Sequence, residues 1–453
     1  MASSDKSYWL KSGLLSIFEK GSVFIFGFGS IYILTRAFTK AEFGVWVLFY
    51  TITSFIEVGR NGLLQNALVK YLSTCEKNET PIVASASLLL NGLLSLCCIL
   101  FLLLFAPMLS GLLNSPTLST LLYIYCLSTL FLVPQQQFNF IQQANLDFRG
   151  IFWSNFSWKG LFFLYILIHY LMGWPMTLAQ LATFQIFTAL VSAIVSYGFG
   201  RQYLKFSRSI DWQWVSKLFH FGRFVFGTNL STMLYKTIDK LMLGNIAGTT
   251  AVGLYEWAIK ITNLVEVPTF SVASVVFPQS ARKMETEGKG AVKHLYEKSV
   301  GAILALILPF MLFVWVFAEP IIRFLATEAY IDTVPILRVT ICFGLFIPFA
   351  VQFGTALDSI GRPKVNFRFT LIGLLVNMVL NYIFIHQFGA IGAAYGTLTS
   401  YCILFVAMQI LLHRMIGVQP LNALRQLVFF YANGFKYVQQ LLNNRKVKYK
   451  TEA

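Results

Sequence analysis

The sequence predicts an all-α integral membrane protein: about twelve transmembrane helices in two pseudo-symmetric six-helix bundles with a central cavity. Three observations carry this expectation. Of 453 residues, 57% are apolar and 12% charged, and the mean hydropathy of +0.66 is more than a soluble fold of this length can hide. The apolar residues gather in runs long enough to cross about 30 Å of hydrocarbon at about 1.5 Å per residue. A helix pair near the start also returns without a gap. Laying Ser30 to Val58 on Asp239 to Val267 puts Gly44 on Gly253, Ile52 on Ile261, Thr53 on Thr262, Glu57 on Glu266 and Val58 on Val267. Such self-similarity points to duplication, and a carboxylate at the same depth of both copies fits two similar bundles around a polar site.

In chain order the runs cover 12–35, 41–66, 82–107, 117–141, 150–172, 176–200, 218–243, 250–277, 297–317, 333–357, 367–387 and 391–413. The stretch from Met1 to Lys11 is polar and no small-residue cleavage site follows the first run, so that run is expected to remain as a span. The longest basic connection, Gly200 to Lys217, separates two sets of six spans and sets the expected organisation. An N-terminal lobe occupies 1–210, a C-terminal lobe 211–414 and a tail 415–453. Each lobe approaches its last two spans through a polar turn, Leu146-Asp147-Phe148-Arg149-Gly150 in one and Leu357-Asp358-Ser359-Ile360-Gly361-Arg362 in the other. In the tail, Leu421, Leu424, Leu427, Val428, Tyr431, Phe435 and Val438 recur at helical spacing. That pattern predicts an amphipathic helix on the inner leaflet, followed by a basic, disordered end at Arg445, Lys446, Lys448 and Lys450.

The net charge of +16 matters less than its distribution. With the N-terminus in the cytoplasm, Lys70, Lys77, Arg149, Arg201, Lys205, Arg208, Arg282, Lys283 and Arg362 collect in inner connections, while the outer ones hold little beyond Arg36, Lys40 and Arg323. This positive-inside bias predicts both termini in the cytoplasm. Basic residues spread over many loops form no single face, which excludes a nucleic-acid partner. The six cysteines have no CxxC spacing and read as small apolar fillers, the five histidines are dispersed, and no metal site is expected.

An ionised group at the centre of a span costs about 2.5–3.5 kcal/mol on insertion scales, so charges there rarely face lipid. At about 100° per residue, Asn229, Thr232, Lys236, Asp239 and Lys240 share one face of the seventh span. Glu256, Lys260, Asn263 and Glu266 share a face of the eighth. Tyr50, Thr53, Glu57, Arg60 and Asn61 form a stripe on the second, and Ser16, Glu19 and Lys20 lie on the first. Pairing within helices, Glu256 with Lys260, Glu57 with Arg60, or Asp239 with Lys236 or Lys240, is the plainer explanation of any single pair. The set falls on the first two spans of each lobe, as a central cavity requires. Depth divides it into an outer layer, Lys236, Asp239, Lys240, Glu256 and Lys260, and an inner layer, Glu19, Lys20, Glu57, Arg60 and Glu266. An anionic head group entering this cavity displaces carboxylates from their cations, or binds once one is protonated, which is a route to ion coupling. After Pro134, five glutamines between Gln135 and Gln143 either line a path for hydroxyl-rich sugar or end the fourth span early. Pro134, Pro268, Pro309 and Pro348 within spans are compatible with bends.

Three segments carry a resemblance. Asp239-Lys240-Leu241-Met242-Leu243-Gly244 through Gly253-Leu254-Tyr255 and Ala258 resembles the seventh-to-eighth-span signature of the bacterial polysaccharide transporter family, the O-antigen flippases. The turn from Ala356 to Lys364 and the segment Gly389-Ala390-Ile391-Gly392-Ala393-Ala394-Tyr395-Gly396 are similar to that family's later spans. The resemblance implies the multidrug/oligosaccharidyl-lipid/polysaccharide exporter superfamily fold and alternating access. It also implies translocation of an undecaprenyl-pyrophosphate-linked oligosaccharide across a bacterial plasma membrane, with membrane lipids, a glycan polymerase and other assembly proteins as partners. On that reading Lys20, Arg60, Lys236, Lys240 and Lys260 attract the pyrophosphate, while Glu19, Glu57, Asp239, Glu256 and Glu266 hold those cations and exchange H+ or Na+. No other cofactor is expected. A cation-coupled multidrug exporter of the same superfamily is the alternative. A glycan polymerase needs a large outer loop, and the outer loops here are short.

The topology makes a prediction for single cysteines placed in a background lacking the six native ones. Thr39→Cys should react with an impermeant maleimide on intact cells and Ser209→Cys only after permeabilisation; the reverse pattern overturns the orientation.

Overall fold

The computed structural model describes residues 2–76, 78–207 and 209–433, with side chains described for all of these except 2–17, 20, 224, 225 and 228. The helices run in order: α1 Ala2–Ala37, α2 Lys40–Thr74, α3 Thr80–Leu112, α4 Pro116–Ala144, α5 Arg149–Met172, α6 Leu178–Gly200, α7 Trp212–Ile246 and α8 Thr249–Thr262. There follow α9 Glu266–Glu287, α10 Lys289–Val316, α11 Ala318–Leu325, α12 Thr333–Thr340, α13 Ile347–Ser359, α14 Pro363–Phe388 and α15 Ala390–Ile416, then a tail helix over 420–433. Among the described residues there is no strand. Every predicted run falls on helix, and among the described residues ten stretches are long and apolar enough to cross a membrane by length and composition. The remaining two runs are α1, whose described apolar part is Gly21–Ala37, and α7, which carries Arg223, Lys236, Asp239 and Lys240.

Two spans are built from two helices each, for the same reason. Proline lacks the N–H that an α-helix bonds to the carbonyl four residues back. Pro268 sits in the first turn of α9, just after a 3-10 turn over Asn263–Val265 that joins it to α8. Pro348 sits in the first turn of α13, after a 3-10 segment Ile341–Leu345 that joins it to α12. Both prolines therefore stand at helix starts and not within continuous helix, whereas Pro134 and Pro309 are internal to α4 and α10.

The repeat is visible in the helix boundaries. In that alignment Ala37 falls on Ile246 and Lys40 on Thr249, which are the last residues of α1 and α7 and the first of α2 and α8. The break itself is made differently in the two copies. Thr39 closes a capping box with Glu42 at the start of α2, while its counterpart Gly248 turns the chain at φ +83°, where glycine alone is unstrained. The copies part further on, where Gly59 of the continuous α2 aligns with Pro268. The two polar turns also match. Asp147 N–H donates to the Gln142 carbonyl and Arg362 N–H to the Leu357 carbonyl, the same six-to-one closure, with Leu146 and Gly361 at positive φ.

The chain divides into two compact units, one through Gly253 and one from Leu254. In the first, α4 packs on α2, α3 and α6, α5 on α1 and α6, and α2 runs the length of α7. Lipid tails are as apolar as leucine, so close van der Waals approach and interhelical hydrogen bonds hold such helices together more than hydrophobicity does. Both are present. On α7 a methyl at Gly222 would meet the Leu63 carbonyl oxygen at 1.8 Å. At the other end α2 crosses the start of α8: a methyl at Gly44 would meet the Thr249 oxygen at 1.8 Å, and one at Gly253 the Lys40 oxygen at 2.7 Å. Between α4, α5 and α6 the bonds are polar. Gln142 Nε2 donates to the Ser196 carbonyl at 3.1 Å, and the Ser154 and Ser196 hydroxyls donate to Asn139 Oδ1 at 3.1 and 2.7 Å.

In the second unit α9 packs on α10 and α13, and α14 on α15, where Asn377 and Asn381 donate to the Thr397 hydroxyl. The tail helix lies along α10. Buried Glu297 accepts from Gln419 N–H at 3.0 Å and from Asn422 Nδ2 at 3.2 Å, capping the helix start. Gly301 admits the Ala423 carbonyl, and the Tyr431 hydroxyl donates to the Ala305 carbonyl at 2.8 Å. The segment is thus docked on a membrane-spanning helix turn by turn. Phe435, Val438 and the basic residues from Arg445 to Lys450 lie outside the described residues, as do Lys77 and Arg208.

The crossing predicts an order of stabilities. Gly44→Ala should lower the apparent melting temperature of the solubilised protein more than Gly253→Ala, while Gly92→Ala, with nothing within 4 Å, leaves it unchanged. Equal effects at Gly44 and Gly92 would show the crossing to be looser than described.

Candidate functional site

The polar residues of α2 project into the first unit. The helix repeat places Tyr50, Glu57 and Asn61 along one side, where α4 and α5 face them. Because α4 continues through Pro134 to Ala144, all five glutamines stay on helix and its last turns carry amides into the protein. With Glu19 of α1 these residues line an open-sided chamber of about 500 Å³. Its wall includes Glu57, Asn61 and Gln65 from α2, Gln135 and Gln143 from α4, and Asn155 and Trp158 from α5. Gln65 Nε2 donates to Gln143 Oε1 at 3.0 Å, and Asn155 Nδ2 donates to the Glu19 carboxylate at 2.8 Å.

Glu57 borders a second, smaller cavity of about 20 Å³, room for roughly one water. There it accepts from the Tyr125 hydroxyl at 3.2 Å, and across the cavity stands Lys159. The Lys159 ammonium donates to the Tyr50 hydroxyl at 3.2 Å and lies 3.9 Å from the centre of the Trp158 ring. The Trp158 face and the Tyr50 ring and hydroxyl take over part of the hydration that an ammonium otherwise holds, and such a cation–π contact contributes about 0.5–2 kcal/mol. Sequence reasoning missed Lys159. The available signal was that it is the one charged residue between Arg149 and His169, mid-way along a span.

Arg60 is 3% exposed and turns away from the chamber. Its guanidinium donates to the Ser95 hydroxyl at 3.1 Å and to Gln136 Oε1. The expected Glu57–Arg60 pair does not form. Three residues apart on α2, the two side chains diverge, the carboxylate to Tyr125 of α4 and the guanidinium between α3 and α4. Lys20 follows Glu19 on α1, its side chain outside the described residues along with Ser16.

The remaining predicted residues lie apart from this chamber's wall. On α7 Asp239 is buried, its carboxylate accepting from the Lys240 N–H at 2.8 Å, with Lys240 half-buried and Lys236 exposed. On α8 buried Glu256 pairs with half-exposed Lys260 at 3.8 Å, the i, i+4 pair expected. Glu266 is half-buried at the first residue of α9. In the turn before α5, the Arg149 guanidinium donates twice to Asp147 at 3.1 Å, the Arg149 N–H donates once at 3.2 Å, and the Tyr203 hydroxyl adds a fourth bond. Burial pushes the Asp147 carboxyl up, but the bonds and charge of Arg149 outweigh it and hold it below its ordinary value. This clasp is present at neutral pH and is lost as pH falls through that lowered value.

Replacing Arg60 by Met strands the Ser95 hydroxyl and Gln136 Oε1. Stability should fall by about 1–3 kcal/mol, read as a lower melting temperature, and adding Gln136→Leu should recover part of the loss. Additive losses would show that the two residues do not interact.

Comparison with known proteins agrees with this architecture. Residues 33–335 match the family model described as polysaccharide biosynthesis protein. An uncharacterised membrane protein of Methanocaldococcus jannaschii is 27% identical over 49% of this chain and 44% of its own. A probable low-salt glycan biosynthesis flippase of Haloferax volcanii is 22% identical over 48% and 46%, and a putative O-antigen transporter of Shigella flexneri 21% over 48% and 52%. The chain thus spans about half the length of the curated relatives it matches. Among solved structures, the lipid II flippase MurJ in an inward closed conformation covers 92% of the chain and 90% of itself at TM-score 0.71 and 18% identity. An inward-facing multidrug resistance MATE family transporter of the MOP superfamily covers 87% and 94% at TM-score 0.72 and 17% identity. These two share the fold. The family model spans well over half of the sequence, and this multi-pass membrane protein belongs to the polysaccharide biosynthesis protein family.

Proposed function

We propose that this protein is a flippase carrying a polyprenyl-pyrophosphate-linked oligosaccharide across the plasma membrane of a bacterium by alternating access, with both termini in the cytoplasm. The observation that carries the reading is an open-sided chamber of about 500 Å³, in whose wall carboxamides and two carboxylates stand beside Phe140, Phe148, Ile151 and Trp158. Polar and ionised groups are costly in a spanning helix, and their gathering around open volume is what the glycan of such a cargo requires. The family supports the same reading, as does the relative named as a probable low-salt glycan biosynthesis flippase.

In the mechanism we infer, Lys236, Lys240 and Lys260 supply the positive charge that draws the pyrophosphate off the membrane surface. Asp239 and Glu256 hold those cations when cargo is absent, and protonation of a carboxylate frees its lysine for the phosphate. H+ or Na+ then drives the cycle, with the 3-10 segments before Pro268 and Pro348 taking up the helix bending. A glycan polymerase and other surface-polysaccharide proteins are the expected partners on the outer side.

Lys236→Ala and Lys260→Ala should each abolish surface glycan while the protein is still made and inserted. Normal display in both would end the pyrophosphate role. Drug resistance on expression, with no glycan defect on deletion, would favour instead a cation-coupled exporter of amphipathic compounds.

A further inference from the structure

The chamber in the first unit has a chemistry of its own, distinct from what a pyrophosphate needs. Resting on the flippase reading, we propose that it is a glycan subsite which takes the neutral, hydroxyl-rich sugars of the cargo and rejects acidic ones. Its volume of about 500 Å³ lies within the range of small-molecule sites, about 300–1,000 Å³.

Gln135 and Asn61 line the chamber, and the carbonyl oxygen of each lies just beneath its surface, where a small shift of the side chain brings it to a bound hydroxyl. Gln135 Oε1 and Asn61 Oδ1 are buried and meet no donor among the described residues. A buried carbonyl oxygen without a donor is costly, and a sugar hydroxyl is the group that supplies one while also accepting from an amide N–H. Gln65, Gln143 and Asn155 extend the carboxamide surface, bonded to one another and to Glu19 and so held in place beside a bound sugar. Trp158 adds an apolar face for the C–H side of the ring.

The charge of the wall sets the selectivity. Glu19 and Glu57 both line the chamber, and among the described residues no cation does. Arg60 is committed to Ser95 and Gln136, and Lys159 opens on the smaller cavity beside Tyr50. A uronate or a phosphate placed here faces two carboxylates at low dielectric, where like charges repel strongly. A neutral sugar does not.

The test uses the full chain in lipid nanodiscs with two soluble probes, maltotriose and trigalacturonate, followed by saturation-transfer NMR and calorimetry. Maltotriose should bind at least tenfold more tightly than trigalacturonate. Gln135→Leu should weaken maltotriose at least tenfold, and Glu57→Gln should narrow the gap between the probes. Equal affinity for both, or full maltotriose affinity in Gln135→Leu, overturns the subsite. If Gln135→Leu does not fold, Trp158→Ala takes its place with the same expected loss, and retained binding there overturns the subsite equally. Flipping of a neutral lipid-linked glycan in proteoliposomes separates this from the transport reading. Maltotriose bound at the chamber without any flipping leaves the subsite and removes the flippase. Flipping that proceeds while Gln135→Leu binds maltotriose normally does the reverse.

Discussion

An ionised side chain in a membrane-spanning helix has to be solvated by its own protein, and the first unit is arranged around that requirement. Glu57, Arg60 and Lys159 are three such charges, and the bonds that hold them run to neutral groups. Each is given neutral partners: a phenol for the carboxylate, a hydroxyl and an amide for the guanidinium, and aromatic faces with a phenol for the ammonium. A tight pair would have neutralised the charges and closed the space. Neutral partners keep the charges apart and leave volume between the helices, and that volume is where cargo chemistry becomes possible.

Much of the fold was legible because apolar length and internal repetition are properties of the sequence itself. Every predicted span falls on helix, and the repeat reproduces the ends of α1 and α7 and the starts of α2 and α8 to the residue. The divisions within two spans were less legible. Pro268 and Pro348 mark them, but a proline inside an apolar run reads equally as a bend in one helix or as the start of a second. The tail helix was recognised by its period, yet its seat along α10 depends on Glu297 and Gly301, far away in the chain.

The site was legible in part, and the reason is geometric. Helical spacing shows which residues share a face, so the stripe on α2 and the Glu256–Lys260 pair were accessible. It does not show what stands opposite. Glu57 and Arg60 looked like partners because they are three residues apart, and only the positions of Tyr125, Ser95 and Gln136 on neighbouring helices separate them. Lys159 escaped because no other charged residue stands near it along α5, and a lone charge forms no pattern with its neighbours.

The crossing of α2 and α8 has a consequence for how such a chain arises. Gly44 abuts Thr249 and Gly253 abuts Lys40, so equivalent residues of the two copies exchange places. Reciprocal contact of this kind is the signature of an isologous interface. A half-length ancestor bearing one glycine and one helix start would already meet a second molecule of itself in this way. Descent from two such copies accounts for the reciprocity without requiring that the flanking turns stayed alike, and they have not: Thr39 caps a helix where Gly248 bends the chain.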